Sequence, residues 1–149
     1  MKLLPVLDRV ATAEKVRDYL NKDYPQHCMA VGKPVTYIQA TAYDGMPKSP
    51  SFGNQAEEKI IDRLDEVWEV QRAIDYTRDA FKLVQSYNPE VGQLLYDSYI
   101  RHKSREHIAI EMGYSKRSVE TQISNACCQF AGCLANVSNG EMDLRVWQK

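Results

Sequence analysis

A chain of 149 residues fits one folded domain with at most an appendage, and it is long enough to bury a core. Hydrophobic residues at 44% and charged residues at 26% exclude wholesale disorder. A net charge of −1 excludes nucleic-acid binding over the whole surface, but not at a local basic patch.

The start, Met1 to Leu7, is too short an apolar stretch for a signal peptide before Asp8-Arg9 interrupts it. No apolar run approaches the roughly 20 residues that span a bilayer. The expectation is a cytoplasmic chain without membrane contact. In residues 1–24 a small helix is expected from Ala13 to Asn21, capped by Thr12, with Val16 and Leu20 on one face. Tyr24-Pro25 should stop it. Residues 25–53 hold Pro25, Pro34, Pro47 and Pro50 with Gly32, Gly45 and Gly53. They read as a linker or irregular segment, with Val35 to Ile38 as an extended piece. So long an interval suggests that the N-terminal helix is loosely coupled to the rest.

Residues 54–87 read as one long amphipathic helix capped by Asn54. Ile60, Leu64, Val67, Ile74, Phe81 and Val84 recur at helical spacing, and Ile61 and Trp68 widen the stripe. Lys59, Arg63, Asp65, Glu66, Glu69, Arg72 and Arg78 fill the other face. A homodimer through this helix is a candidate assembly, although Gln71, Arg78 and Gln85 at seam positions argue against a coiled coil.

Residues 88–136 carry the pattern that points to function. Asn88-Pro89 starts a helix with Pro89 in its first position, lined by Leu94, Leu95, Ser98 and Tyr99. Ser104 then caps a short helix that runs to Met112, with Ile108, Ala109 and Met112 facing inward. Gly113 stands where a helix ends left-handed, Tyr114 fills the turn, and Ser115 caps a second helix. Val119, Ile123, Ala126, Phe130 and Leu134 form that helix's buried stripe. Two helices that cross closely need a small residue at the crossing, a tight turn soon after, and an apolar anchor early in the second helix. Ala109, Gly113 and Val119 meet those needs. This is the layout of a helix-turn-helix, whose second helix lays its N-terminal end in the major groove of DNA.

The candidate DNA-binding residues are Lys103, Arg105, Ser115, Lys116, Arg117, Ser118, Glu120, Thr121, Gln122 and Asn125. Arginine pairs with guanine, Gln or Asn with adenine, and Glu with cytosine. Other signals are weak. Cys28, Cys127, Cys128 and Cys133 form no CxxC pair and read as buried small apolar residues. His27-Cys28 has no second pair for a metal. Asp62, Asp65, Glu66 and Glu69 read as a solvated helix face. No phosphate loop, Ser/His/Asp set or HExxH run occurs, so neither an enzyme, a cofactor nor a metal is expected. Residues 137–149 form a tail whose Val146 and Trp147 fold back or meet a partner.

From Pro89 to Leu134 the chain resembles region 4 of bacterial sigma factors. The resemblance rests on Leu94-Leu95-Tyr96, the run from His107 to Ser115, Ser118-Val119 and Ala126. The usual pattern has an acidic residue where His107 stands. More narrowly, residues 3–135 resemble the phage transcriptional regulators of the ArpU/RinA family. The matching pieces are Leu4-Pro5, Thr12 to Leu20, Met46-Pro47-Lys48-Ser49-Pro50 and Glu57 to Arg72. That resemblance implies an activator of phage late genes for packaging and lysis, acting inside the bacterial host, with host RNA polymerase as a second candidate partner.

The expected fold is therefore all-α, with a sigma region 4-like helix-turn-helix preceded by a long amphipathic helix and a small N-terminal helix. The expected function is sequence-specific binding of double-stranded promoter DNA. The rival readings are a DNA-packaging component, such as a small terminase subunit, and a protein-interaction module that docks on RNA polymerase without touching DNA.

Overall fold

Asp8 starts the first helix: its carboxylate accepts the Ala11 N–H at 3.1 Å, and α1 runs over Arg9–Asp18. The computed structural model describes residues 5–39 and 57–148, with side chains at 5–38 and 66–148. Thr12, expected as the cap, lies inside α1 and is fully buried. Its hydroxyl accepts the Val146 N–H at 3.0 Å, a contact across 134 residues of chain that local sequence does not disclose.

The helix does not stop at Tyr24-Pro25. A π-turn at Tyr19–Asp23 loosens the backbone, and α2 follows over Tyr24–Val31. Proline lacks an N–H and crowds the carbonyl four residues back, so the wider turn gives Pro25 room to open a new register. The extended piece expected at Val35 to Ile38 is instead a short 3-10 turn, Val35–Gln39. The Tyr24 hydroxyl donates to the Val35 carbonyl at 2.8 Å and draws this turn onto the core, where Ile38 is buried. The part of residues 25–53 that is described is thus helical and packed; the remainder lies outside the described residues.

Helix α3 spans Glu57–Tyr87. The expected cap Asn54 and the side chains of Ile60, Ile61 and Leu64 lie outside the described residues. Ile74, Phe81 and Val84 are buried, as their spacing predicts, but Val67 and Trp68 are 46% and 61% exposed. Arg78, assigned to the charged face, is buried. Its guanidinium lies 4.8 Å from the Tyr37 ring centre, and Nη1 donates to the Tyr37 hydroxyl at 3.3 Å. The Val35–Gln39 turn covers that side of α3, which periodicity within α3 cannot foretell.

Asn88 caps α4 (Pro89–Leu95), accepting the N–H groups of Glu90 and Val91. A Cβ at Gly92 would stand 2.9 Å from Gln85 Cβ, so glycine permits α4 to cross α3 closely. A second π-turn, Tyr96–Ile100, leads to α5 (Arg105–Met112) and α6 (Lys116–Val137).

Helix α6 packs against α1, α3, α4 and α5. Ala126, Cys127, Phe130, Ala131 and Leu134 are 0% exposed, so this part of the helix is sheathed by its neighbours. Phe130 meets Phe81 of α3 edge-on, with ring centres 5.0 Å apart. Leu20, Tyr24 and Cys28 belong to the same core as Ile74 and Phe130, so the N-terminal helices are not loosely coupled. The tail folds back. Asp8 N–H donates to the Val146 carbonyl at 2.7 Å and Gln148 N–H to the Val6 carbonyl at 2.8 Å, forming an isolated antiparallel bridge between Leu7 and Trp147. Among the described residues the fold is all-α, no strand is present, and no helix is long and apolar enough to cross a membrane.

Burial pushes the Tyr19 and Tyr99 hydroxyls up to about 12, and that of Tyr24 higher still. Each folded value is raised above the roughly 10 of an unfolded tyrosine, so its contribution is intact below that pH and is lost as pH rises toward the folded value. The urea midpoint should therefore fall steadily between about pH 10 and pH 12. A midpoint flat across that window would contradict the burial of these hydroxyls.

Candidate nucleic-acid interface

The two helices of the expected site are capped alike. Ser104 Oγ accepts the His107 N–H at 3.1 Å, and Ser115 Oγ accepts the Ser118 N–H at 3.1 Å. Between them Gly113 adopts φ 73° and ψ 25°, and the N–H groups of Gly113 and Tyr114 both donate to the Ala109 carbonyl. That geometry ends α5 within one residue and lets α6 begin three residues later. Ile108 and Ala109 are buried on α5, and Val119 and Ile123 on α6. His107, standing where the sigma pattern is acidic, pairs within α5 through Nε2 to Glu111 at 3.3 Å.

Outward from Val119 and Ile123, the first turns of α6 expose Lys116, Arg117, Glu120, Thr121 and Asn125, with Ser118 and Gln122 half-buried. Arg117, Thr121 and Asn125 follow one another at four-residue steps and share a face. Ser115 caps the same end. Several of these groups already have partners. Thr121 donates to the Arg117 carbonyl at 3.1 Å, and Gln122 reaches Ser118 at 3.5 Å. Lys116 Nζ meets Glu106 at 2.9 Å, which raises the lysine and holds the Glu106 carboxyl below the usual carboxylate range. Both side chains are more than half exposed, so this pair is weak and exchangeable.

Two expected cations are less free than their sequence positions suggest. Lys103 is half-buried and lies 3.1 Å from Glu111 and 3.8 Å from Asp97, tying α5 to the preceding π-turn. It holds the Glu111 carboxyl low and acts as an internal brace. Arg105 is half-buried over the Tyr99 ring at 5.8 Å. Asn125 is exposed, yet its Oδ1 accepts a 2.6 Å bond from Arg9 Nη2 at the start of α1. Arg9 had no signal in the sequence, since 116 residues separate it from Asn125.

Elsewhere little invites chemistry. The four cysteines are buried free thiols, and burial pushes each of them up, which keeps them protonated. Among the described residues no group of three or more His, Cys, Asp and Glu is placed to hold a metal ion.

The chain is 31% identical over 134 residues to a protein of Enterococcus hirae named as a candidate autolysin regulatory protein, ArpU. The match covers 88% of this chain and 91% of that protein. No family model matches the chain, and no solved structure matches it significantly.

The turn itself yields a test. A Cβ at Gly113 would meet nothing within 4 Å, so Gly113→Ala suffers backbone strain alone. It should cost about 1–2 kcal/mol of stability, with Gly113→Asn costing less. Urea unfolding should show a lower midpoint at unchanged slope. Full stability in Gly113→Ala would refute the left-handed turn.

Proposed function

The chain belongs to the ArpU family, and on that premise we propose that it is a transcriptional regulator that binds double-stranded DNA through α5 and α6. The relative's name describes a regulator, which supports the regulatory role. The observation that carries the DNA reading is the division of α6 along its length. Its second half is buried in the core, while its first three turns present Lys116, Arg117, Glu120, Thr121 and Asn125 to solvent. A helix so anchored can hold polar side chains at fixed positions against base edges. Ser115 and Ser118 stand at its tip, near where a phosphate would lie.

Arg117 is the residue assigned to base reading. It is exposed, and no ion pair engages it among the described residues. Lys116 reaches phosphate by exchanging Glu106 for it, at small cost. Lys103 and Arg105 support the unit from behind, and their positive charge acts at longer range. The role asks for no catalytic step, cofactor or metal. Activation of phage late genes through a sigma-like contact, with host RNA polymerase as partner inside the bacterial cell, belongs to the same proposal. A promoter-fusion reporter run with and without the protein tests that part; unchanged transcription would overturn it.

A second copy of the chain is the other proposed partner. It would be met through Val67 and Trp68, whose exposure leaves apolar surface along α3. Sedimentation equilibrium should give a dimer that Trp68→Glu dissociates. A monomer at all concentrations would remove this partner, and a large ring would favour the packaging rival.

Selection of bound duplexes from a random pool tests the central claim. The full chain should enrich one sequence, and Arg117→Ala should weaken binding to it by about 1–3 kcal/mol and relax preference at one position. Enrichment of no sequence would overturn specific DNA binding.

A further inference from the structure

We infer that Arg9, at the first position of α1, is a phosphate-anchoring residue of the DNA interface, held in place by Asn125. The inference rests on the DNA-binding reading above and adds to it a residue from the opposite end of the chain.

Position supports it first. Arg117, Thr121 and Asn125 lie at successive turns of one face of α6, so Asn125 stands about 12 Å beyond Arg117 along the helix. The major groove is only about 8.5 Å deep. In a helix that reads base edges with its N-terminal residues, the third turn lies away from those edges, on the side of the sugar–phosphate backbone. Arg9 waits at that turn, exposed, with Nη2 2.6 Å from Asn125 Oδ1.

Charge supports it next. Around α5 and α6, Arg101, Lys103 and Lys116 all face carboxylates. Arg9 meets a neutral amide oxygen, and among the described residues no carboxylate lies within ion-pair distance of it. Its positive charge is uncompensated, and four of its five N–H donors remain for another acceptor. A guanidinium presented this way suits a phosphate oxygen, which it can bind through two parallel bonds.

Preorganisation completes the argument. Asp8 N–H is fastened to Val146, Thr12 is bonded to Val146 by its hydroxyl, and Cys128 Sγ contacts the Arg9 carbonyl at 3.4 Å. The backbone that carries Arg9 is thus held on both sides, so ordering it on DNA costs little. Asn125 becomes a positioning residue for Arg9 more than a reader of adenine.

The test is a salt titration of the full chain on the duplex enriched from the random pool, comparing Arg9→Gln, Arg9→Lys and Arg117→Ala. Each phosphate neutralised adds about 0.9 to the slope of log affinity against log salt. Arg9→Gln should lower the slope by about that amount, so that a tenfold rise in salt costs it about eightfold less affinity than it costs the unaltered chain. Arg9→Lys, which keeps the charge, should restore most of it. An unchanged slope in Arg9→Gln, with reduced affinity in Arg117→Ala, would overturn the role of Arg9 and leave the DNA reading standing. No binding of the unaltered chain to any duplex would overturn both. Unfolding midpoints of Arg9→Gln and Arg9→Lys equal to that of the unaltered chain, with the slope lost only in Arg9→Gln, would support the charge role. A slope loss shared by Arg9→Lys, together with a lowered midpoint in both variants, would assign Arg9 to holding α1 and defeat the proposal.

Discussion

The burial of the second half of α6 is the constraint on which everything else depends. Ala126, Cys127, Phe130, Ala131 and Leu134 have no exposed surface, and the helix that carries them packs against α1, α3, α4 and α5. Small residues on this stretch let those helices approach, while Phe130 fills the centre against Phe81. Because an α-helix is stiff over 22 residues, fixing one half fixes the other. The polar first turns are therefore a rigid projection from the core, with Val119 and Ile123 seating them on α5. Any function placed on those turns inherits the precision of the packing behind them.

A near-neutral chain must concentrate whatever attraction it offers an anion. It does so by subtraction. Arg101, Lys103 and Lys116 are matched with nearby carboxylates, and Lys103 ties the second π-turn to α5. What remains outward is sparse, with Arg117 at one end of the face and Arg9 at the other. Such a surface gives an anion weak general attraction and leaves selectivity to a few placed contacts.

The parts of this design visible in the sequence are those set by neighbours in the chain. Ser104, Ala109, Gly113, Ser115 and Val119 define caps, crossing and turn within sixteen residues, and each acts on backbone close to itself. The run of Ile74, Phe81 and Val84 was equally readable from its period. The rest was hidden because its cause lies far away. Thr12 is explained by Val146, Arg78 by Tyr37, Lys103 by Asp97 as well as Glu111, and Asn125 by Arg9. Pro25 misled for a different reason: a π-turn leaves no mark in composition, yet it removes the clash that makes proline a helix stop. Side chains of charged residues were the least legible, since nothing local says which carboxylate will claim them.

The antiparallel bridge between Leu7 and Trp147 bears on the order in which the molecule is made. On the ribosome α1 emerges well before α6 and Val146, against which it docks. At ordinary rates of synthesis the delay is on the order of ten seconds. For that time Leu20, Tyr24 and Cys28 have no complete surface to bury against, and α3 can fold only against part of its eventual neighbours. The arrival of α6 and Val146 closes the core and, in the same event, brings Arg9 beside Asn125. A chain interrupted between α6 and Val146 would hold Asn125 but lack the bonds from Val146 that seat α1, and Arg9 with it, against α6.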